Sequence, residues 1–287
     1  LTQPSIIPGF RALAPGYDLI LSDVWGVLHN GERAHPAAGE ALARFRADGG
    51  VVVLISNAPM PGGNVIDLLD RLKVRRDSYD AILTSGDLTR AWLVEAGYDA
   101  VHHLGTKRDD ALFTGLKTRK VDLADADALV CTGLFNEFVE TPEAYRPSLA
   151  EARGRGLEML CANPDLVVEV GPRLIPCAGA LAMIYEELGG KVRWAGKPRR
   201  PVYEQATAMG ADILGREPDR ARMLAIGDAL RTDMAGAAGF GIDGLFIADG
   251  IHAGELVRDG EIDAAALARA FAKAGLPARG AMAKLAW

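Results

Sequence analysis

Apolar residues in this chain come mainly in short continuous runs rather than in alternation. Residues 19–21, 51–55, 81–83, 128–131, 158–161, 223–226 and 244–247 are such runs. Runs of this length predict strands buried on both faces, as in a parallel sheet. Between them, residues 38–47, 87–96, 179–188, 201–214, 232–238 and 264–274 carry helical apolar spacing. Gly49-Gly50 supplies a stop after the first helix. Pro201 suits a first helical turn, where its missing N–H costs nothing. Pro147 argues against one unbroken helix across 141–153. The alternation of strand and helix predicts an α/β fold on a doubly wound parallel sheet. Gly- and Pro-bearing stretches at 59–64 and 189–198 suggest crossings between domains. The expected organisation is a discontinuous core of 1–84 and 186–287 around an inserted α/β domain of 85–185.

Composition narrows the partners. With 287 residues, 49% hydrophobic and 24% charged, the chain can build a full globular core. A net charge of −6 argues against nucleic acid as the main partner. No apolar run approaches the roughly 20 residues needed to cross a bilayer, so no membrane partner is expected. The opening "LTQPSIIPGFRALAPGYD" does not read as a signal peptide. Cys131, Cys161 and Cys177 have no zinc-site spacing. An odd, sparse set fits a reducing compartment, and a cytoplasmic location is the expectation. Each thiol reads as a small buried apolar residue rather than a nucleophile.

Candidate chemistry falls at the ends of expected strands, where open α/β sheets bind ligands. Asp23 follows the run at 19–21, and Ser56-Asn57 follow the run at 51–55. Gly196-Lys197-Pro198 precede a helix, and "GDALRTD" (227–233) follows the run at 223–226. Carboxylates in turns suit Mg²⁺, a hard cation. A hydroxyl and a lysine can cradle phosphate oxygens, and a carboxylate can act as a nucleophile. Taken singly, Asp23 reads more readily as a turn or cap carboxylate, and the plain alternative for Asp228 and Asp233 is helix N-capping.

Together these stretches resemble the haloacid dehalogenase (HAD) superfamily. Its D-x-D-G-[TV]-L motif is matched by Asp23-Val24-Trp25-Gly26-Val27-Leu28, its Ser/Thr motif by Ser56-Asn57, its lysine motif by Lys197, and G-D-x-x-x-T-D by Gly227-Asp228 with Thr232-Asp233. Each motif alone is weak, but four in order are specific. The stretch between motifs two and three, with "ANPD" (162–165) and "PCAGAL" (176–181), resembles the α/β cap of class IIA. That subgroup includes NagD-like sugar phosphatases and nitrophenylphosphatase-like enzymes. The resemblance spans roughly residues 17 to 256 and implies a Rossmann-like core with an inserted cap.

The resemblance also implies roles. Asp23 would be the nucleophile and a metal ligand, Asp228 the second carboxylate ligand, and the Trp25 carbonyl a third. Ser56 and Lys197 would hold the transferring phosphoryl group, and Asp233 would support the metal without touching it. Asn57, Asn163, Asp165 and Arg173 would contact substrate, with the loops at 163–165 and 176–179 facing Asp23. The cofactor would be Mg²⁺ and the substrate a small, sugar-phosphate-like metabolite. Assembly of copies through the cap stays open.

The departure is Trp25. The family's general acid/base Asp stands at that position, and an indole has no titratable proton. The expectation is an Mg²⁺-dependent phosphatase, slowed by this loss. The alternatives are a non-catalytic phosphometabolite-binding protein or an enzyme cleaving another bond. Motif four weighs against the metal-free dehalogenases. Phosphonatase chemistry would need a desolvated cap lysine, and Lys107, Lys117 and Lys120 lie in polar stretches. Trp25 reads equally as packing and as a platform stacked on substrate. His29 is a reserve acid, and His252 is read as structural more than as a substrate contact. His102 and His103 would point to opposite strand faces, poor for shared metal binding. "GFGIDG" (239–244) spells a dinucleotide fingerprint, but it follows a helix and precedes a strand, so it reads as a turn.

Overall fold

The apolar runs build two parallel sheets, one in each of two compact units. The computed structural model describes residues 4–170 and 173–287. The first unit comprises Leu1–Ser56, Ile66–Leu83 and Lys197–Trp287. Its strands are β1 (Leu19–Ser22), β2 (Val51–Ser56), β3 (Ala81–Thr84), β11 (Met223–Gly227), β12 (Asp243–Ile247) and β15 (Gly280–Met282), in the order β15-β12-β11-β1-β2-β3. Every residue of β1, β2 and β11 is buried, as expected of strands covered on both faces. A short antiparallel hairpin, β13 (Val257–Arg258) with β14 (Glu261–Ile262), precedes the helix Ala264–Ala274. That helix presents Leu267 and Phe271 to a cluster with Phe246, Met234 and Leu256. Burying each such side chain stabilises the fold by about 1.5–3 kcal/mol.

The second unit comprises Asn57–Val65 and Thr84–Gly196. Its sheet runs β10-β7-β6-β4-β5 through β4 (Ala100–Leu104), β5 (Arg119–Lys120), β6 (Ala128–Cys131), β7 (Glu158–Cys161) and β10 (Lys191–Trp194). A hairpin of β8 (Val167–Val170) and β9 (Arg173–Pro176) leads to the helix Ala178–Glu187. That helix packs Leu181, Ala182 and Tyr185 against Leu129, Met159 and Cys161. All three cysteines are buried and free.

Among the described residues, four strands of the two parallel sheets escape the apolar-run reading, one of them the two-residue, fully charged Arg119–Lys120. Ala100–Leu104 carries two histidines, Lys191–Trp194 alternates charged and apolar residues, and Gly280–Met282 is short. Residues 186 onward read as core in the sequence, yet 191–194 pair with β7 in the second sheet. The helix expected at 232–238 begins as a π-helical turn, Leu230–Met234, and continues as Ala235–Phe240. Pro147 acts as expected: Pro142–Tyr145 is 3₁₀ and the α-helix starts at Arg146. No helix among the described residues is long and apolar enough to cross a membrane.

Candidate active site

Strand register brings the distant acids together. β1 and β11 are neighbours, with Ser22 opposite Ile226, and the Asp23 N–H donates to the Ile226 carbonyl at 2.8 Å. Asp23 and Asp228 therefore leave adjacent strands at the same edge of the sheet. Asp23, Asp228 and Asp233 offer carboxylate oxygens that all lie within 4.8 Å of one another. Lys197 is 3% exposed and pairs with Asp23 Oδ1 at 2.8 Å and Asp233 Oδ1 at 2.7 Å. The Val24 N–H donates to Asp23 Oδ1 at 2.6 Å, the Ala229 N–H to Asp233 Oδ2 at 3.0 Å, and the Ile251 N–H to Asp228 Oδ2 at 2.8 Å. A Cβ on Gly26 or on Gly250 would come within 2.1 Å of Asp228 Oδ2, so both glycines are needed for the carboxylate to sit here.

Three carboxylates against one ammonium leave excess negative charge in a desolvated place. Burial pushes the Asp23 carboxyl well above the usual range. Lys197 opposes that rise, while Asp233 and Asp228 add to it. Burial also works against the Lys197 ammonium, but Asp23 and Asp233 outweigh it and its pKa is raised. A divalent cation fits this cluster: the donors are hard oxygens, and its charge would offset the burial and the carboxylate repulsion that disfavour an ionised Asp23.

Trp25 folds back on its own loop. Its ring meets His29 edge-on, with centroids 5.1 Å apart, and its Cη2 lies 2.5 Å from where a Gly31 Cβ would stand. The Gly26 N–H donates to the His29 carbonyl at 2.7 Å, closing the turn. His29 is 1% exposed, and its Nδ1 accepts the Gly31 N–H at 2.9 Å. Burial, with His35 adding, pushes its pKa down to about 4. His29 is therefore neutral near pH 7, with one nitrogen occupied as an acceptor. A neutral imidazole is a poor proton donor near pH 7.

The other expected residues are distributed as follows. Ser56 is buried at the end of β2. Asn57 and Asp165 are brought together, with Asn57 Nδ2 donating to Asp165 Oδ1 at 3.0 Å. Asn163 Oδ1 accepts the Asp165 N–H at 3.1 Å, so these three side chains brace one loop system in the second unit. Arg173 is exposed on β9 and makes no ion pair among the described residues. His252 accepts a long 3.5 Å bond from the Leu230 N–H and lies 6.0 Å from the Phe246 ring, a packing role. "GFGIDG" is a turn at Gly241 between a helix and β12.

Comparison with known proteins adds a lineage. Residues 20–118 match the family model described as haloacid dehalogenase-like hydrolase, and residues 194–274 match the HAD-hydrolase-like model. A crystal structure of a haloacid dehalogenase-like hydrolase from Brucella suis 1330 is 42% identical, over 97% of this chain and 100% of that one, with a TM-score of 0.85. The chain belongs to the haloacid dehalogenase-like hydrolase family. More distant HAD structures share the fold. A possible sugar phosphatase from Cytophaga hutchinsonii is 22% identical, with 98% of each chain covered and a TM-score of 0.77. A p-nitrophenyl phosphatase from Archaeoglobus fulgidus is 19% identical, over 94% of this chain and 97% of that one, with a TM-score of 0.72. No curated protein matches the chain.

For this HAD hydrolase, sequence reasoning passed over two contributors to the acid cluster. Gly250 and the Ile251 N–H shape and bond the Asp228 carboxylate. The available signal was Asp249-Gly250 directly after the run at 244–247, a turn dipeptide at the edge where ligands bind.

Proposed function

We propose that this chain is a phosphatase dependent on a divalent cation, naturally Mg²⁺, acting on a small sugar-phosphate-like metabolite. The observation that carries the reading is the buried Lys197 bridging Asp23 and Asp233, beside Asp228. In this reading an Asp23 oxygen attacks phosphorus in line, forming an aspartyl-phosphate as the bond to the leaving oxygen breaks. Lys197, held by Asp233, and the Ser56 hydroxyl hold phosphoryl oxygens as charge shifts onto them. Asp23 and Asp228 would hold the cation, together with the Trp25 carbonyl. When bound, it supplies charge neutralisation and polarises a phosphoryl oxygen. Trp25 gives the leaving oxygen no proton, so that oxygen must take one from solvent. Water then attacks phosphorus, releasing phosphate and restoring Asp23. That step is slow because no side chain here activates the water. Asn57, Asn163, Asp165 and Arg173 are assigned to substrate recognition, and their substitution should act on KM more than on kcat.

Trp25 also supports a second reading, a phosphometabolite binder that has kept the cation site. One experiment separates the two: phosphate release from p-nitrophenyl phosphate and an alkyl phosphate with Mg²⁺, with EDTA, and in Asp23→Asn. A phosphatase loses release in EDTA and loses at least about 10³-fold in Asp23→Asn, as for removal of a covalent nucleophile. Release indifferent to both treatments would overturn the reading, and no release from any phosphate ester would favour the binder.

A further inference from the structure

The second unit has its own switch point. β4 lies between β5 on one side and β6 on the other, and all three are parallel. The chain leaves β4 for β5 and then returns to β6 across it. In open parallel sheets, ligands bind at such a reversal, outside the carboxyl ends of the strands. A groove of about 630 Å³ occupies this place, with Lys107, Asp122 and Phe135 in its lining, from the loops after β4, β5 and β6 respectively. Its size is in the usual range for small-molecule sites. Every lining residue belongs to the second unit.

The charges in the lining are arranged in a particular way. Lys120 and Asp110 pair at 2.5 Å and cancel one another. His103 Nε2 lies 2.9 Å from Thr132 Oγ1, which donates to Asp109 Oδ2 at 2.9 Å. The histidine is thus a donor in a closed chain, and burial, with Lys120 adding, pushes its pKa down to about 4, so it adds no charge. Lys107 and Asp122 are both exposed, and neither makes an ion pair or side-chain hydrogen bond among the described residues. The groove therefore offers one free cation and one free anion on different loops. Phe135, 51% exposed, adds an aromatic surface. A phosphate dianion would meet Lys107 but be repelled by Asp122. A zwitterion satisfies both.

We propose that this groove is a binding site for a free α-amino acid with an apolar side chain. The carboxylate pairs with Lys107, the ammonium with Asp122, and the side chain lies on Phe135. The site stands apart from the phosphatase reading and survives its failure.

Calorimetric titration of the full chain tests it, with L-leucine and L-phenylalanine as probes. L-leucinamide and 4-methylpentanoate each lack one charge, and AMP is the phosphate-bearing comparison. At least one amino acid should bind saturably. Leucinamide and 4-methylpentanoate should bind at least tenfold more weakly than leucine. Lys107→Ala and Asp122→Asn should each weaken amino-acid binding at least tenfold with unchanged thermal stability, since both side chains are exposed. Saturable binding of neither amino acid, binding unchanged in both variants, or AMP binding more tightly than either amino acid would overturn the proposal.

Discussion

At the scale of single residues, the rate of the proposed phosphatase turns on Trp25. A positioned acid/base is worth about 10²–10⁴-fold in rate, and the indole here is occupied with His29 and Gly31. Trp25→Asp should therefore raise phosphate release from alkyl phosphates by up to about 10²-fold. Release from p-nitrophenyl phosphate should rise less, because its leaving oxygen needs little protonation. Steady-state assays on variants with confirmed folding check this, and an equal or slower variant on alkyl phosphates would count against the role given to position 25. Gly31 makes the loop possible: its φ is +90°, and an added Cβ would collide with Trp25. Gly31→Ala should cost about 1–3 kcal/mol of stability, read as a lowered denaturant midpoint. The convergence of Asp23, Lys197, Asp228 and Asp233 was legible in the sequence because each punctuates an expected strand end or helix start. The Trp25–Gly31 packing and the neutral state of His29 were not legible, because they depend on how a tight turn folds back on itself.

At the scale of elements, strands covered on both faces were readable as continuous apolar runs. β4 was harder, because its two histidines are held by individual partners: His102 Nδ1 by the Val121 carbonyl at 3.1 Å and His103 by Thr132. The same burial makes the fold sensitive to acid. His29 and His103 titrate near 4 in the folded chain, against about 6.5 when unfolded. Between these values the unfolded chain binds more protons. The stability they contribute is whole above about pH 6.5 and is lost as pH falls through about 4, by roughly 3 kcal/mol for each. Denaturant midpoints at pH 7.5 and 4.5 should show a smaller acid-side loss in His103→Gln than in the wild type. An identical loss in both would show that His103 is not held neutral.

At the scale of the whole molecule, order of motifs and alternation of elements led to the HAD family before any contact was known. The second unit was less readable, since its sheet extends to Trp194 through a strand with a polar pattern. Its core holds the three thiols. Burial pushes Cys131 up to about 12 and raises Cys161 and Cys177 as well. Native protein should therefore react slowly with a disulfide reagent, and all three thiols should react promptly in denaturant. Fast labelling of the native chain would show that this core opens readily.

The central claim is that Asp23 carries the phosphoryl group, in a site that forms the intermediate more readily than it hydrolyses it. Acid quenching during turnover of p-nitrophenyl phosphate with Mg²⁺, then borohydride reduction and peptide mass spectrometry, tests this directly. The account predicts reduction of the acyl phosphate to homoserine at position 23, abundant in the wild type and scarcer in Trp25→Asp. Steady phosphate release with no modification at position 23, or with the phosphoryl group trapped on another residue, would contradict it.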